Sequence, residues 1–312
     1  MAQSLSELVL ISRIARAYYL DGRSRVEIAD QLDISRFRVA RMLETARTSG
    51  IVHIEIRSPG MVNAELSIDL QNAFGLKHAI VLAVPADDPA TLRAQLGRTA
   101  GQLLREVATD TDVIGLSWAR SLAGIDTGVA GLAACPIVQL TGAISRPDGG
   151  DGIELVRRIA RAAGGPAHVF YAPMIVDDNA TARSLRRQPD IARALAMVER
   201  VTIAMVGIGA WQPGQSTIYD SIKSVDRDHT AKYGVVAEVS GVLVGDDGRV
   251  LTPPLSRRAI CPTGAQLEAI ANVIAVAYGA EKVDGVRSVL RGSLINGLVT
   301  HTGMAEALLA GA

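Results

Sequence analysis

Residues 14–56 read IARAYYLDGRSRVEIADQLDISRFRVARMLETARTSGIVHIEI, and the punctuation of this stretch decides the fold of the N-terminal part. Leu8, Ile11, Ile14, Ala15 and Tyr18 recur at helical spacing over residues 5–20, and Asp21-Gly22 stops that run. Ser24 predicts an N-cap for a second helix over Arg25–Leu32, with Glu27 in capping-box position. Asp33-Ile34 make a brief turn, Ser35 caps a third helix from Arg36 to Thr48, Gly50 closes it, and residues 51–56 alternate as a short strand. Two short helices on a tight turn, followed by a strand, form the pattern of a winged helix-turn-helix. Ile28, Leu32, Ile34, Val39 and Leu43 can supply its small core, and Ala29 lets the helices approach closely. Asp33 stands where many such turns carry a left-handed Gly, a conformation Asp tolerates better than most residues.

The third helix concentrates charge. Ser35 to Ser49 holds Arg36, Arg38, Arg41 and Arg47 against Glu44 alone, four minus one or +3. Residues 1–57 together carry nine arginines and seven acids, only +2. Arginine grips phosphates and reads guanine bidentately, and the N-terminal residues of a recognition helix usually meet base edges. Ser35, Arg36, Phe37, Arg38, Arg41 and Arg47 are therefore the candidate DNA-binding residues.

Around this module the composition sets limits. At roughly 150 residues per domain, 312 residues suggest two domains, and 48% hydrophobic residues suffice for a globular core. Thirty-two basic and 32 acidic residues cancel, which excludes a protein working by overall basicity but not a local basic surface. The basic residues are nearly all arginine; lysine occurs only at 77, 223, 232 and 282. The start MAQSLSELVL is not a signal peptide, and no apolar run approaches the ~18 residues of a membrane helix, so a cytoplasmic protein is expected. Cys135 and Cys261 are distant from each other and read as reduced core thiols. The five histidines have no ligand spacing; neither metal nor cofactor is expected. Asp226-Arg227-Asp228-His229 reads as a solvated loop.

Pro59-Gly60 marks the boundary: a DNA-binding domain over 1–57, a linker over 58–63 and a large domain over 64–312. A helix over Ala64–Phe74 precedes a buried strand at residues 79–84. The alternation continues with a helix at 91–107, strands at 112–117 and 135–140, a helix at 153–163, a strand at 168–172, a helix at 191–199 and a strand at 201–206. Strands at 235–239 and 250–251, a helix at 266–272, a strand at 273–277, a helix at 283–290 and a strand at 297–300 complete it. Such alternation predicts a Rossmann-like, parallel, three-layer α/β domain, whose ligands sit at the carboxyl ends of the strands. Five strand-end loops are candidates. The first holds Ser117, Trp118, Ala119, Arg120 and Ser121, offering backbone N–H groups, hydroxyls and a guanidinium to an anion ahead of an expected helix. The second holds Thr141 and Gly142, and the third Gly207 and Gly209. The fourth ends in Lys282, able to hold a phosphate as a point charge. The fifth holds Thr300, His301 and Thr302, with Thr302 expected to cap the next helix. In the third loop Gly207, Gly209 and Gly214 miss the GxGxxG spacing, and Pro213 interrupts the helix that should follow, so NAD binding is not expected.

With both halves in view the chain resembles the SorC family of bacterial sugar-binding transcriptional regulators. The N-terminal stretch quoted above carries the resemblance together with GLSWARSL (115–122), VGIGA (206–210), GVLVGDDGRVL (241–251), VIAVAYGAEK (273–282) and LRGSLINGLVTHTGMAEALL (290–309). The resemblance implies an effector domain similar to phosphosugar isomerases but without catalysis. It also implies a sugar, polyol or sugar-phosphate effector, operator DNA as partner, and a homodimer or homotetramer. This chain departs from the pattern at Ala119, where such proteins usually carry Gly, at Ser121 for Thr, at His301 for Asp, at Tyr278 for Gly, and in the 241–245 run. Several of these fall in candidate pocket loops, which leads to the expectation of an altered, unphosphorylated effector. The competing function is a sugar-phosphate isomerase with an added N-terminal domain. It needs a carboxylate base and a cationic partner, for which Glu238 and Lys282 are the one nominated pair; the same two residues are candidates for effector binding.

Overall fold

The computed structural model describes residues 4–52, 61–84, 88–144 and 152–311. The chain divides into two compact units, Met1–Arg57 and Ser58–Ala312. The first contains α1 (Leu5–Tyr19), α2 (Arg25–Leu32) and α3 (Arg36–Thr48). Ser4, Ser24 and Ser35 each cap the helix that follows by accepting a bond from a backbone N–H three residues on, and Ser24 with Glu27 closes the reciprocal capping box. Asp33 takes the left-handed conformation, φ 49° and ψ 47°. Ile28 of α2 and Val39, Met42, Leu43 and Ala46 of α3 pack with Ile11 and Ile14 of α1, while Leu32 and Ile34 lie at the edge of this cluster. Of the expected wing strand, Ile51 and Val52 form a bend whose Val52 N–H donates to the Ala46 carbonyl at 2.9 Å. Residues 53–56 lie outside the described residues, as do 58–60 of the linker.

The second unit runs α4 (Ala64–Phe74), β1 (His78–Leu82), α5 (Pro89–Val107), β2 (Ile114–Leu116), β3 (Ile137–Gln139), α6 (Gly152–Ala163), β4 (Ala167–His168), α7 (Asn179–Arg186) and α8 (Pro189–Ala196). It continues with β5 (Ile203–Ala210), α9 (Thr217–Ser221), α10 (Ser224–Ala231), β6 (Val235–Val239), β7 (Val242–Gly245), β8 (Val250–Leu251), α11 (Gly264–Glu268), β9 (Asn272–Val276), α12 (Val283–Arg291), β10 (Gly297–His301) and α13 (Thr302–Leu309). The central sheet has the order β1-β10-β9-β5-β2-β3-β4, with every neighbouring pair parallel. Side chains of β5 alternate between two apolar clusters. Ile203 and Met205 pack with Leu96 and Leu104 of α5 and Ile159 of α6; Ala204 and Val206 pack with Val286 of α12 and Leu308 of α13. Helices thus cover both faces, the three-layer arrangement expected of a mostly parallel sheet.

The sheet is not parallel throughout. Ile208–Ala210 of β5 pair antiparallel with β6, and β6, β7 and β8 form an antiparallel ribbon. The predicted strand ended at Val206 and β7 was not predicted. Ser240 and Gly241, at φ 52° and 89°, make the two-residue turn that joins β6 to β7, a conformation matching the twist of paired strands. Other elements also differ. β4 is two residues long rather than spanning 168–172, and α7 was not predicted. Residues 226–229 lie in α10 rather than a solvated loop, and the Asp226 carboxylate accepts two bonds from Arg258, at 2.8 and 3.0 Å.

No α-helix follows β2. The chain instead makes 3-10 turns at Arg120–Leu122 and Ile125–Thr127, because α5 lies directly on this segment. A Cβ at Gly97 or Gly101 of α5 would overlap the backbone carbonyls of Ala123 and Ile125. These two glycines therefore hold the β2 loop in place. Gly101→Ala is expected to cost about 1–3 kcal/mol, the usual price of overpacking, read as a lower urea midpoint at unchanged slope. An unchanged midpoint would mean that the helix can move off the loop freely.

Candidate functional site

In the first unit, α3 buries Val39, Met42, Leu43 and Ala46 and turns Arg36, Phe37, Arg38, Arg41 and Arg47 outward. Ser35 fixes the start of the helix: its Oγ accepts from the Arg38 N–H at 3.2 Å. The Arg36 guanidinium lies 5.3 Å from the centre of the Phe37 ring. Arg47 approaches Glu44 at 3.9 Å, both exposed, a pairing worth little in water. Among the described residues Arg38 and Arg41 form no ion pair, so both remain available to phosphate or base.

In the second unit a cavity opens at the carboxyl ends of β2 and β5. It is lined by Ser117, Trp118, Ala119, Arg120 and Ser121 after β2, Gly207 and Gly209 of β5, Glu238 of β6, and Lys282 ahead of α12. Nine of the residues nominated from sequence thus meet at one place. The strands explain why. Ser117 extends the β2 ladder by donating its N–H to the Met205 carbonyl at 3.1 Å, which sets the loop beside β5. Gly207 then makes room: a Cβ there would stand 2.5 Å from the Ala119 methyl. Ala119, the departure from the SorC-type loop, fills the space above that strand.

The electrostatics of the wall are unusual. Glu238 and Lys282 are both buried and both line the cavity, yet form no ion pair. The Glu238 carboxylate accepts from Ser216 Oγ and from the Gly241 N–H, each at 3.1 Å. Lys282 Nζ donates to the Ile208 carbonyl at 3.1 Å. Burial pushes the Glu238 carboxyl above its ordinary range, against the opposing pull of those two donors and of Lys282. Burial also draws the Lys282 ammonium down to about 8, with Arg120 adding to the effect. Arg120 itself donates to the Gly214 carbonyl at 2.6 Å. The space open to water centres is about 40 Å³, more than the ~10–15 Å³ that one water needs on that measure.

Thr141, Gly142 and His301 are not on the cavity wall. Thr141 is buried behind the first loop, where its Oγ1 faces the Trp118 N–H at 3.5 Å. Gly142 lies against the backbone of Met174, itself a wall residue. His301 ends β10 opposite Leu82, buried, with Nε2 lacking a hydrogen-bond partner and the ring held below its usual pKa by burial. Thr302 does not cap α13; its hydroxyl donates to the Leu82 carbonyl at 3.3 Å. Gln215, Ser216, Thr217 and Ser240 line the cavity without having been nominated. Ser240 had a readable signal, a Ser-Gly pair between two β-branched runs. It combines a left-handed φ of 52° with a buried Oγ that has no hydrogen-bond partner.

Residues 60–310 match the family described as "Putative sugar-binding domain". The sequence is 28% identical over 311 residues to the transcriptional regulator LsrR of Klebsiella pneumoniae, covering 98% of this chain and 94% of that protein. It is 25% identical over 298 residues to the deoxyribonucleoside regulator of Bacillus subtilis, covering 95% of each. The fold matches that of the full-length sorbitol operon regulator SorC from Klebsiella pneumoniae with a TM-score of 0.74, at 23% identity, over 99% of this chain and 100% of the other.

Two stability measurements follow from the wall. Ser240→Gly is expected to raise stability by about 1–2 kcal/mol, since Gly carries no penalty in the left-handed region and the unpartnered hydroxyl is removed; a fall would reveal a partner for Ser240. For Lys282, the folded pKa of about 8 lies below the ordinary 10.5, so the unfolded chain binds more protons between these values. Stability relative to Lys282→Met is therefore expected to rise as pH increases from about 8 to about 10.5. Parallel curves for the two proteins would contradict the burial of this charge.

Proposed function

The chain belongs to the sugar-binding-domain family of SorC-type regulators, and from that membership we propose a transcription factor whose α3 binds operator DNA under the control of a small polyhydroxylated effector. The observation that carries the effector half is the pair of buried titratable side chains, Glu238 and Lys282, lining one cavity without forming an ion pair. A molecule bearing several hydroxyls can bridge them, donating to the carboxylate and accepting from the ammonium. Ser117, Ser121, Ser216 and Ser240 add hydroxyls to the same wall. The effector is a sugar, a polyol or a sugar phosphate. The Ala119 methyl, which fills space against Gly207, favours an unphosphorylated one. Tight calorimetric binding of a phosphosugar, with none of its free sugar, would reverse that preference.

We read the cavity as a binding site and not a catalytic one. Both Glu238 oxygens already accept hydrogen bonds and Lys282 is tied to the Ile208 carbonyl, an arrangement that supports position rather than proton transfer. A turnover assay on pentose and hexosamine phosphates should give nothing; turnover would favour the isomerase reading. Control of DNA binding fits a dimer or tetramer setting two recognition helices on two half-sites.

Fluorescence anisotropy on duplexes from the upstream region of its own gene, with salt titration and with a pool of sugars, polyols and their phosphates, tests the proposal. Saturable, salt-sensitive binding that a pool component shifts is the expected result. No preference over scrambled DNA under any pool, together with turnover, would overturn it. Arg38→Ala should weaken binding by about 1–3 kcal/mol with specificity relaxed at one position if Arg38 reads a base. A uniform loss with a smaller salt slope would assign it to phosphate instead.

A further inference from the structure

The protein has three phenylalanines. Phe170 is fully buried and Phe74 is half-buried, whereas Phe37 is 75% exposed. Phe37 is the second residue of α3, and Arg41, four residues on, shares its face of the helix. Arg36 and Arg38 flank it, and the Arg36 guanidinium stands over its ring at 5.3 Å. A single exposed apolar side chain is ordinary on a protein surface. This one is different in its setting: a rigid aromatic ring held among three outward arginines, at the end of a recognition helix that enters the major groove first. Charge selects a polyanion as the occupant of this face, because a neutral or basic surface would have to bury three guanidinium groups without partners, and the helix-turn-helix setting of α3 makes DNA that polyanion. Within the major groove one base feature is apolar, the C5-methyl group of thymine.

We propose that Phe37 is a thymine-reading residue, its ring packed against the C5-methyl of a base pair in the operator while Arg38 and Arg41 engage phosphate or guanine. The proposal rests on the DNA-binding reading of α3 and adds to it the identity of one contacted group.

Replacing thymine by deoxyuridine removes that methyl and leaves base pairing intact. Duplexes enriched by the full-length protein from a random-sequence library would be resynthesised with each thymine replaced in turn, and affinities measured by anisotropy. For the wild type, one or two positions are expected to lose about fourfold in affinity each, the worth of one buried methyl group. For Phe37→Ala the thymine and deoxyuridine forms should bind equally; Phe37→Leu should keep part of the difference, and Arg38→Ala should keep all of it. Wild-type binding that is salt-sensitive yet indifferent to every replacement overturns thymine reading while leaving DNA binding intact. The same holds if the deoxyuridine penalty persists undiminished in Phe37→Ala. Failure to enrich or bind any duplex overturns both readings together.

Discussion

The second unit is organised around a crossing point on β5, where two glycines replace side chains that could not fit. A Cβ at Gly209 would overlap the Glu238 carboxylate, and one at Gly207 would meet Ala119 and Ser121. Up to Gly207 the strand is the centre of a parallel sheet, flanked by β9 and β2. From Ile208 it belongs to an antiparallel ribbon with β6. The β2 loop and the ribbon therefore converge over the same two residues, and the cavity is the space left between them. Bulk at either glycine would separate the walls that carry Ser121 and Glu238, so the packing constraint and the location of the chemistry coincide.

That convergence has an electrostatic cost. A carboxylate and an ammonium are each withdrawn from water, which in protein interiors is offset only by close pairing or by good hydrogen bonds. Here the two do not pair. Glu238 relies on Ser216 and Gly241 and Lys282 on one carbonyl, which leaves unused capacity on both. The Ser240 hydroxyl is likewise buried without a partner, on a backbone that disfavours its side chain. Three under-satisfied groups on one wall offer donors and acceptors that a hydroxylated molecule can meet at once. In a merely structural region the same groups would be a liability.

How much of this could be read from sequence depended on how local each determinant is. The helices of the first unit begin and end where Ser24, Asp33 and Ser35 place them, because caps and a left-handed turn act within a few residues. The α/β order was legible from hydrophobic patterning, and the rule that ligands sit at strand ends led to the edge of the sheet where the cavity lies. It could not say which loops share a wall. β10 lies three strand spacings from β2 in the observed order, about 14 Å at ~4.8 Å each, which carries His301 away from Arg120. The length of β5 was missed because its last residues are strand only by virtue of β6. Ser216 and Gln215 reach the cavity through a loop whose path is set by tertiary contacts, so nothing in their neighbourhood marks them.

Regulation needs two arrangements of the chain, because an effector shifts DNA binding only where it binds one arrangement better than the other. The observed affinity is then the intrinsic affinity reduced by the fraction of protein already in the preferred arrangement; equal affinity for both would shift nothing. Because Gly97 and Gly101 clamp the β2 loop against α5, moving that loop would break a close-packed contact. By linkage, whatever DNA does to that equilibrium the effector must do to DNA affinity in equal measure.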